Sequence, residues 1–215
     1  AEKQCATNIS AAIDAKKNIR TADFSSSLRA GSEAMLSAID RAECGKNTLV
    51  AIGDCRMGAP DGQFELDLGD GAAAFIFGSE NIIARVIGSH SMSMDFNDVW
   101  RARDDKFIRN WDTRYAATQL YEPVIIQTVG TLLEKTKLQV SDFSKVIVYG
   151  HEDKQSIALA MKLGFSQAQI QPSMFDCIGN TGCVSAPLML VAALENAKPG
   201  DKLLFTTYGE GCDAI

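Results

Sequence analysis

Histidine is scarce in this sequence: two occur in 215 residues, at positions 90 and 151. Six cysteines stand at 5, 44, 55, 177, 183 and 212, and no two of them form a C-x-x-C pair. So few nitrogen and paired sulfur ligands leave a zinc site little to work with, and no metal is expected. Positive charge is the minority sign, with 21 Lys and Arg against 27 Asp and Glu and a net charge of −6. The longest basic run is the pair Lys16-Lys17, so the basic stripe of a nucleic-acid binder is missing. No apolar run approaches the roughly 18 residues that a membrane helix needs, so no membrane span is expected. What is present is ordinary: 46% hydrophobic and 22% charged residues, which excludes a disordered chain, a collagen and a coiled-coil rod. Scattered thiols predict reduced cysteines, mostly acting as small apolar filling, and a cytoplasmic location.

The pattern along the chain alternates helices and strands. Residues 8–17 read as a short helix capped by Thr7 or Asn8, and 19–24 as a short strand. Residues 28–43 read as a buried helix, because small and apolar residues lie nearly all round it. Residues 48–55 read as a strand buried on both faces, and 71–78 and 82–89 as two more strands. Residues 90–112 are loop-like, and a helix runs over about 113–135 with Pro123 restarting or kinking it. A strand at 145–149, a helix at 153–163, the loop 178–182, a helix at 183–197 and a strand at 202–208 complete the chain. The alternation predicts an α/β fold with a mostly parallel sheet.

The chain also echoes itself. At a shift of 155 residues, helix 28–43, Gly45 and strand 48–53 fall on helix 183–198, Gly200 and strand 203–208. Two related halves are implied, each with a buried helix fed by a small-residue loop. About 100 residues precede the second buried helix but far fewer precede the first, so the expectation is a piece of a longer polypeptide, with on the order of 75 residues before Ala1.

Four stretches carry a resemblance. They are TADFSSSLRAGSEAMLSAI, DCRMGAPDGQFELDLGDGAAAFIFG, DFNDVWR and IGNTGCVSAPLMLVAALENAKPGDKLLFTTYGEGCDA. Together they resemble the thiolase superfamily, above all its 3-hydroxy-3-methylglutaryl-CoA synthase branch, with the β-ketoacyl-acyl-carrier-protein synthases next. The resemblance implies two pseudo-twofold-related βαβαβαββ halves, the first incomplete in this chain. Residues 1–80 would be the remainder of the N-terminal half and 81–215 the C-terminal half. The implied chemistry is condensation or cleavage of acyl thioesters, with coenzyme A thioester as substrate and no other cofactor.

Residue by residue, the resemblance gives mixed signals. The family pattern DFxxACKAGT lies over Asp23 to Ser32 and puts Leu28 at the position of the acylated Cys. A Leu side chain has no lone pair and cannot form an acyl-enzyme. The carbonyl-polarising His lies over His151, and the Asn of the GNT loop over Asn180. Imidazole and amide N–H groups there would stabilise a developing oxyanion. The acid/base Glu of the family would precede Ala1. Gly209 and Gly211 lie in the terminal glycine loop that the family sets close to the thioester.

Several residues keep two readings. His151 is a polarising donor or a loop residue capping the following helix, and Asn180 a second donor or a turn residue. Ser27 is a substitute nucleophile or a cap. Cys183 opens the second buried helix as a pocket thiol or as filling. His90 reads as structural or as an interface residue. Trp100, Arg101, Arg103, Arg109, Trp111 and Arg114 form a basic-aromatic patch that would hold a CoA phosphate through Arg101 and Arg103, or pack as a solvated loop.

The resulting expectation is a hydroxymethylglutaryl-CoA synthase-like subunit of an acyl-CoA acyltransferase complex, a pseudoenzyme without its own nucleophile. Its partner would be a thiolase-like catalytic subunit, or the chain itself as a dimer. The resemblance also points to a small zinc-ribbon or OB-fold accessory protein. The alternatives are an active acyltransferase using His151 and Asn180, and a non-catalytic acyl-CoA-binding protein.

Overall fold

The computed structural model describes residues 3–215. Helix α1 spans Cys5–Ala12. Its first N–H groups have no intrahelical acceptor, and the Asp23 carboxylate takes those of Cys5 and Ala6 at 2.7 and 2.8 Å. The cap therefore comes from downstream and not from Thr7 or Asn8. It also explains why 19–24 forms no strand: Asp23 and Thr21 are spent on side-chain bonds to the start of the chain.

Helix α2, Ala30–Glu43, buries Gly31, Ser32, Met35 and Ala38. It packs on an antiparallel pair, β1 (Thr48–Asp54) and β2 (Gly71–Phe77). Strand β1 is buried on one face only, against expectation. Val50 and Ile52 point inward, while Leu49 stays 44% exposed and Ile76 across from it 79%. Among the described residues nothing covers the outer face of this pair. Residues 82–89 form no strand either; they are largely exposed, and pairing begins only at β3, His90–Ser93. An apolar run becomes a strand only where a neighbouring edge offers its N–H and C=O groups. The stretch 90–112 is less irregular than its composition suggests, since β4 (Val99–Trp100) and β5 (Arg109–Asn110) pair across a loop.

A long helical segment follows. Helix α3, Thr113–Ala116, passes through a π turn at Ala117–Tyr121 into α4, Glu122–Thr136. Pro123 lacks an N–H, and the wider turn sits where the regular ladder would lose that bond. Strand β6 is Lys145–Val148, followed by α5 (Asp153–Lys162), the single turn α6 (Phe175–Ile178) and α7 (Ser185–Asn196). Strands β7 (Leu203–Tyr208) and β8 (Gly211–Ala214) close the chain.

The main sheet runs in the order β3-β8-β7-β6. Only β6 and β7 are parallel there; β8 is antiparallel to both of its neighbours, so the sheet is mixed and not mostly parallel. Helix α4 and strands β6 and β7 share one core, with Ile125, Val146, Ile147 and Leu204 fully enclosed. The self-similarity appears in the fold. Helix α2 starts 155 residues before α7, and β1 starts 155 residues before β7. The returns differ: Gly209-Glu210 joins β7 to β8, whereas residues 55–70 lie between β1 and β2. Among the described residues, no helix is long and apolar enough to cross a membrane.

Candidate active site

Four short segments converge at the carboxyl ends of β6 and β7. They are Tyr149-Gly150-His151 after β6, Asn180-Thr181-Gly182 before α7, Tyr208-Gly209 after β7, and Ser27-Leu28-Arg29 before α2. Strand ends and helix starts are where an α/β sheet places side chains in an open crevice.

Leu28 is half-buried and lies against Gly209. A Cβ on Gly209 would stand 2.8 Å from the Leu28 Cβ, and the glycine has φ +153. A close approach and a backbone region that L side chains avoid both demand glycine there. Arg29, next in the chain, is buried. Its Nε donates to the Gly209 carbonyl at 2.7 Å and its guanidinium pairs with Asp213 at 2.7 Å. Asp213 is fully enclosed and also accepts from the Ser32 hydroxyl. This ion pair ties the entrance of α2 to the β7–β8 turn. Ser27 Oγ accepts from the Arg29 N–H at 3.1 Å in a turn before the helix; the N-cap of α2 is Arg29 and no side chain caps it, so Ser27 is not the helix cap expected.

His151 is held on both ring nitrogens. Nε2 lies 2.9 Å from Asp98 Oδ2 and Nδ1 lies 3.2 Å from the Tyr149 hydroxyl. A carboxylate only accepts, so Nε2 carries a proton and donates a hydrogen bond to Asp98, while Nδ1 faces the Tyr149 hydroxyl. Both ring nitrogens are therefore engaged within the protein. Asn180 is 3% exposed, and its Nδ2 donates to the His151 carbonyl at 3.1 Å. Its Oδ1 accepts from Gly182 N at 2.8 Å, which fixes the turn into α7. Asn180 thus combines the turn role with one remaining amide N–H. The structure joins His151 and Asn180 directly, by the bond between them.

Burial alone would raise the Asp98 carboxyl, but the hydrogen bond and charge of His151 outweigh it and hold the group below its ordinary range. Tyr208 packs edge-on to His151, ring centres 5.9 Å apart, and to Tyr121 at 5.1 Å. Its buried hydroxyl has no hydrogen-bond partner among the described residues; Asp98 lies nearby but outside bonding geometry. Burial, then the Asp98 charge, pushes its pKa up.

His151 and Asp98 open onto a cavity of about 370 Å³, also lined by Phe64, Asn110, Trp111, Arg114 and Lys154. The basic-aromatic patch is thus only partly in place. Arg114 and Trp111 face the cavity, but Arg101 and Arg103 do not: Arg101 reaches the Cys55 carbonyl at 3.4 Å and Arg103 is exposed. Arg109 pairs with Asp105 at 2.6 Å. Gly211 is also displaced from its expected role. With φ +122 and the Met92 carbonyl against it, it starts the β8 ladder. The Cys183 thiol is half-buried. Burial, and then the Asp54 carboxylate, push its pKa up to about 12. His90 sits on β3 with Lys135 3.0 Å from its Nδ1, in a pair of its own. Among the described residues no cluster of His, Cys, Asp and Glu could hold a metal.

Sequence reasoning gave no role to Asp98, Tyr149, Arg29 and Asp213, and took Tyr208 only as part of the terminal glycine loop. A signal existed for the two tyrosines: Tyr149 follows and Tyr208 ends a buried strand, each just before a glycine.

Comparison with known proteins gives three findings. Residues 133–214 match the family described as 3-oxoacyl-[acyl-carrier-protein] synthase III C terminal. The hydroxymethylglutaryl-CoA synthase of Methanopyrus kandleri is 31% identical over 214 residues, covering 98% of this chain and 61% of that protein. Among solved structures, 3-oxoacyl-[acyl-carrier-protein] synthase III from Aquifex aeolicus superposes with a TM-score of 0.83 at 21% identity, covering 97% of this chain and 70% of that one. MvaS in complex with 3-hydroxy-3-methylglutaryl coenzyme A superposes with a TM-score of 0.80 at 16% identity, covering 99% and 62%. The chain thus spans about three fifths of the length of the curated relative. It carries a thiolase-like α/β fold, and is similar over nearly all its length to hydroxymethylglutaryl-CoA synthases.

Proposed function

We propose that this chain is a hydroxymethylglutaryl-CoA synthase-like subunit of an acyl-CoA condensing or thiolytic acyltransferase complex. It lacks an acyl-Cys nucleophile of its own and supports a thiolase-type catalytic partner. The observation that carries this reading is the pairing of two defects. Leu28 stands at the start of α2 where the resemblance asks for a thiol. Both ring nitrogens of His151 are taken within the protein, Nε2 by Asp98 and Nδ1 by Tyr149, and neither is left for an incoming carbonyl. A site with neither nucleophile nor imidazole donor lacks the two groups on which acyl-enzyme chemistry rests.

The cavity supports a retained affinity for acyl-CoA. Its volume suits a pantetheine thioester, Trp111 offers an apolar wall, and Arg114 and Lys154 offer cations for phosphate. Coenzyme A thioester is then a ligand, with no further cofactor on this chain. The partner is a thiolase-like chain or a second copy of this one, together with a small zinc-ribbon or OB-fold accessory protein, and the assembly works in the cytoplasm.

Incubation with radiolabelled acetyl-CoA followed by denaturation should leave no covalent label. Purification from native extract should bring down a second, Cys-bearing thiolase-like chain. Label on any residue of this chain would end the proposal. The second reading, an active acyltransferase using His151 and Asn180, draws on the Asp98–His151 pair, which has the form of an oriented base. Turnover by the chain alone, abolished in His151→Ala, would favour it.

A further inference from the structure

The stretch 55–70 is an addition that the internal echo does not require. In the second half, β7 returns into β8 through Gly209-Glu210. In the first half, β1 and β2 pair just as directly, yet the whole of 55–70 lies between them. Additions to one copy of a repeat gather on one face, often the binding face, and this one runs along the cavity.

The stretch forms a strap with two anchors. At its base the Met57 carbonyl accepts from the Ile108 N–H at 3.0 Å, beside β5. Its middle supplies Gln63, Phe64 and Asp67 to the cavity wall. Its far end lies on the turn into α7. There the Asp67 carbonyl accepts from the Asn180 N–H at 2.7 Å, and the Gly69 N–H donates to the Asn180 carbonyl at 3.0 Å. Leu68 and Asn180 thus make an isolated parallel bridge outside the named strands. The fit is tight. A Cβ on Gly69 would overlap the Ile178 carbonyl oxygen, and one on Gly179, where φ is +68, would stand 2.8 Å from the Asp67 carbonyl oxygen. The two backbones lie flush, with no room for a side chain between them. Between its anchors the strap is lightly packed: residues 61–63, 65 and 66 are exposed, Leu66 at 93%. A segment with so few buried contacts moves at low cost.

We propose that the strap 55–70 couples occupancy of the cavity to the Asn180 turn, with Gly69 as a positioning residue that acts through Asn180. The strap holds the backbone N–H and carbonyl of Asn180, and the Asn180 side chain holds the His151 carbonyl at 3.1 Å. A ligand that presses on Gln63, Phe64 or Asp67 therefore acts on Asn180 through two direct bonds and on His151 through a third. The inference deepens the acyl-CoA reading and rests on it for the identity of the ligand.

The test uses the whole chain, isotope-labelled at histidine, because its two histidines give two sets of ring signals. In the ligand-free protein Gly69→Ala should shift the nuclear magnetic resonance signals of His151 and leave those of His90, on β3, in place. Unmoved His151 signals overturn the proposal, and so does an equal shift of both rings, which reports only a general loosening. Where Gly69→Ala does not fold, Leu68→Gly takes its place, since it loosens the bridge without adding an atom. With ligand, acetyl-CoA should slow hydrogen exchange at the Gly69 and Asn180 amides of the wild type together, by about tenfold, and should bind the variant about tenfold less tightly. Binding that leaves either amide unchanged, or equal affinity in the variant, overturns the proposal. If acetyl-CoA does not bind at all, the acyl-CoA reading fails by itself, and the ligand-free His151 signals decide for Gly69.

Discussion

At position 28 this chain carries Leu where the thiolase-like resemblance places the acylated Cys. The change is not isolated. Leu28→Cys restores a thiol but leaves the His151 N–H bound to Asp98, so this variant should gain no more than trace label from acetyl-CoA in a denaturing gel assay. Asp98 is the stronger stability determinant. Asp98→Asn removes a charged acceptor from a buried N–H and should cost about 2 kcal/mol by denaturant titration at pH 7. The sign of its pH dependence follows from the depressed carboxyl. The contribution is present above the unfolded value of about 3.9 and is lost as pH falls through the still lower folded value. Wild type and variant should therefore converge in stability below about pH 4, and an undiminished gap at pH 3 would contradict the charge origin. The six thiols should separate by environment. Iodoacetamide at pH 8, read by mass spectrometry, should modify exposed Cys5, Cys44 and Cys177 first. Cys55 should lag, because its hydrogen bond to Asp70 raises its pKa. Cys183 and Cys212, both pushed up to about 12, should react only on unfolding. Both His151 and Asn180 were visible from their motifs. Asp98 was not, because nothing local in DFNDVWR says that its carboxylate crosses 53 residues to meet an imidazole.

Among the elements, the β7–β8 turn and the entrance of α2 act as one unit through Arg29 and Asp213. Arg29→Met leaves a fully buried carboxylate without its counter-charge and should cost about 3–5 kcal/mol. The pair Arg29→Met with Asp213→Leu should recover most of that loss, because both charges leave together. Thermal or denaturant unfolding of the three proteins measures the difference, and an additive double variant would show that the ion pair is not the source. Helices α2, α4, α5 and α7 were legible because their periodic apolar faces are local properties. Strands β6 and β7 were legible as continuous apolar runs between turn residues. The strands expected at 19–24 and 82–89 failed for a different reason. Pairing is a property of two segments, and β propensity in one segment does not supply the other.

On the scale of the molecule, one surface stands apart. Leu49, Ile76, Ile83 and Ile87 are exposed along the open side of β1 and β2 and the segment that follows, with Ile83 at 90%. Exposed apolar area of this kind marks an interaction surface. A native mass above that of one chain is the expected outcome, measured by light scattering on protein from native extract. A monodisperse monomer with no co-purifying chain would remove the support for an assembly.

Local chemistry in the sequence alone determined the α/β alternation, the 155-residue internal echo, the motif order that resembles thiolase-like enzymes, and the Leu at position 28. These are legible because periodicity, turn residues and motif spacing are carried by neighbours in the chain. Tertiary structure alone decided that the sheet is mixed, that Arg101 and Arg103 miss the cavity, that His151 is hydrogen-bonded to Asp98, and that the Tyr208 hydroxyl is buried without a partner among the described residues. Those facts depend on which distant groups meet in a low-dielectric interior, where the cost of an unpaired charge is set by its surroundings and not by its place in the chain.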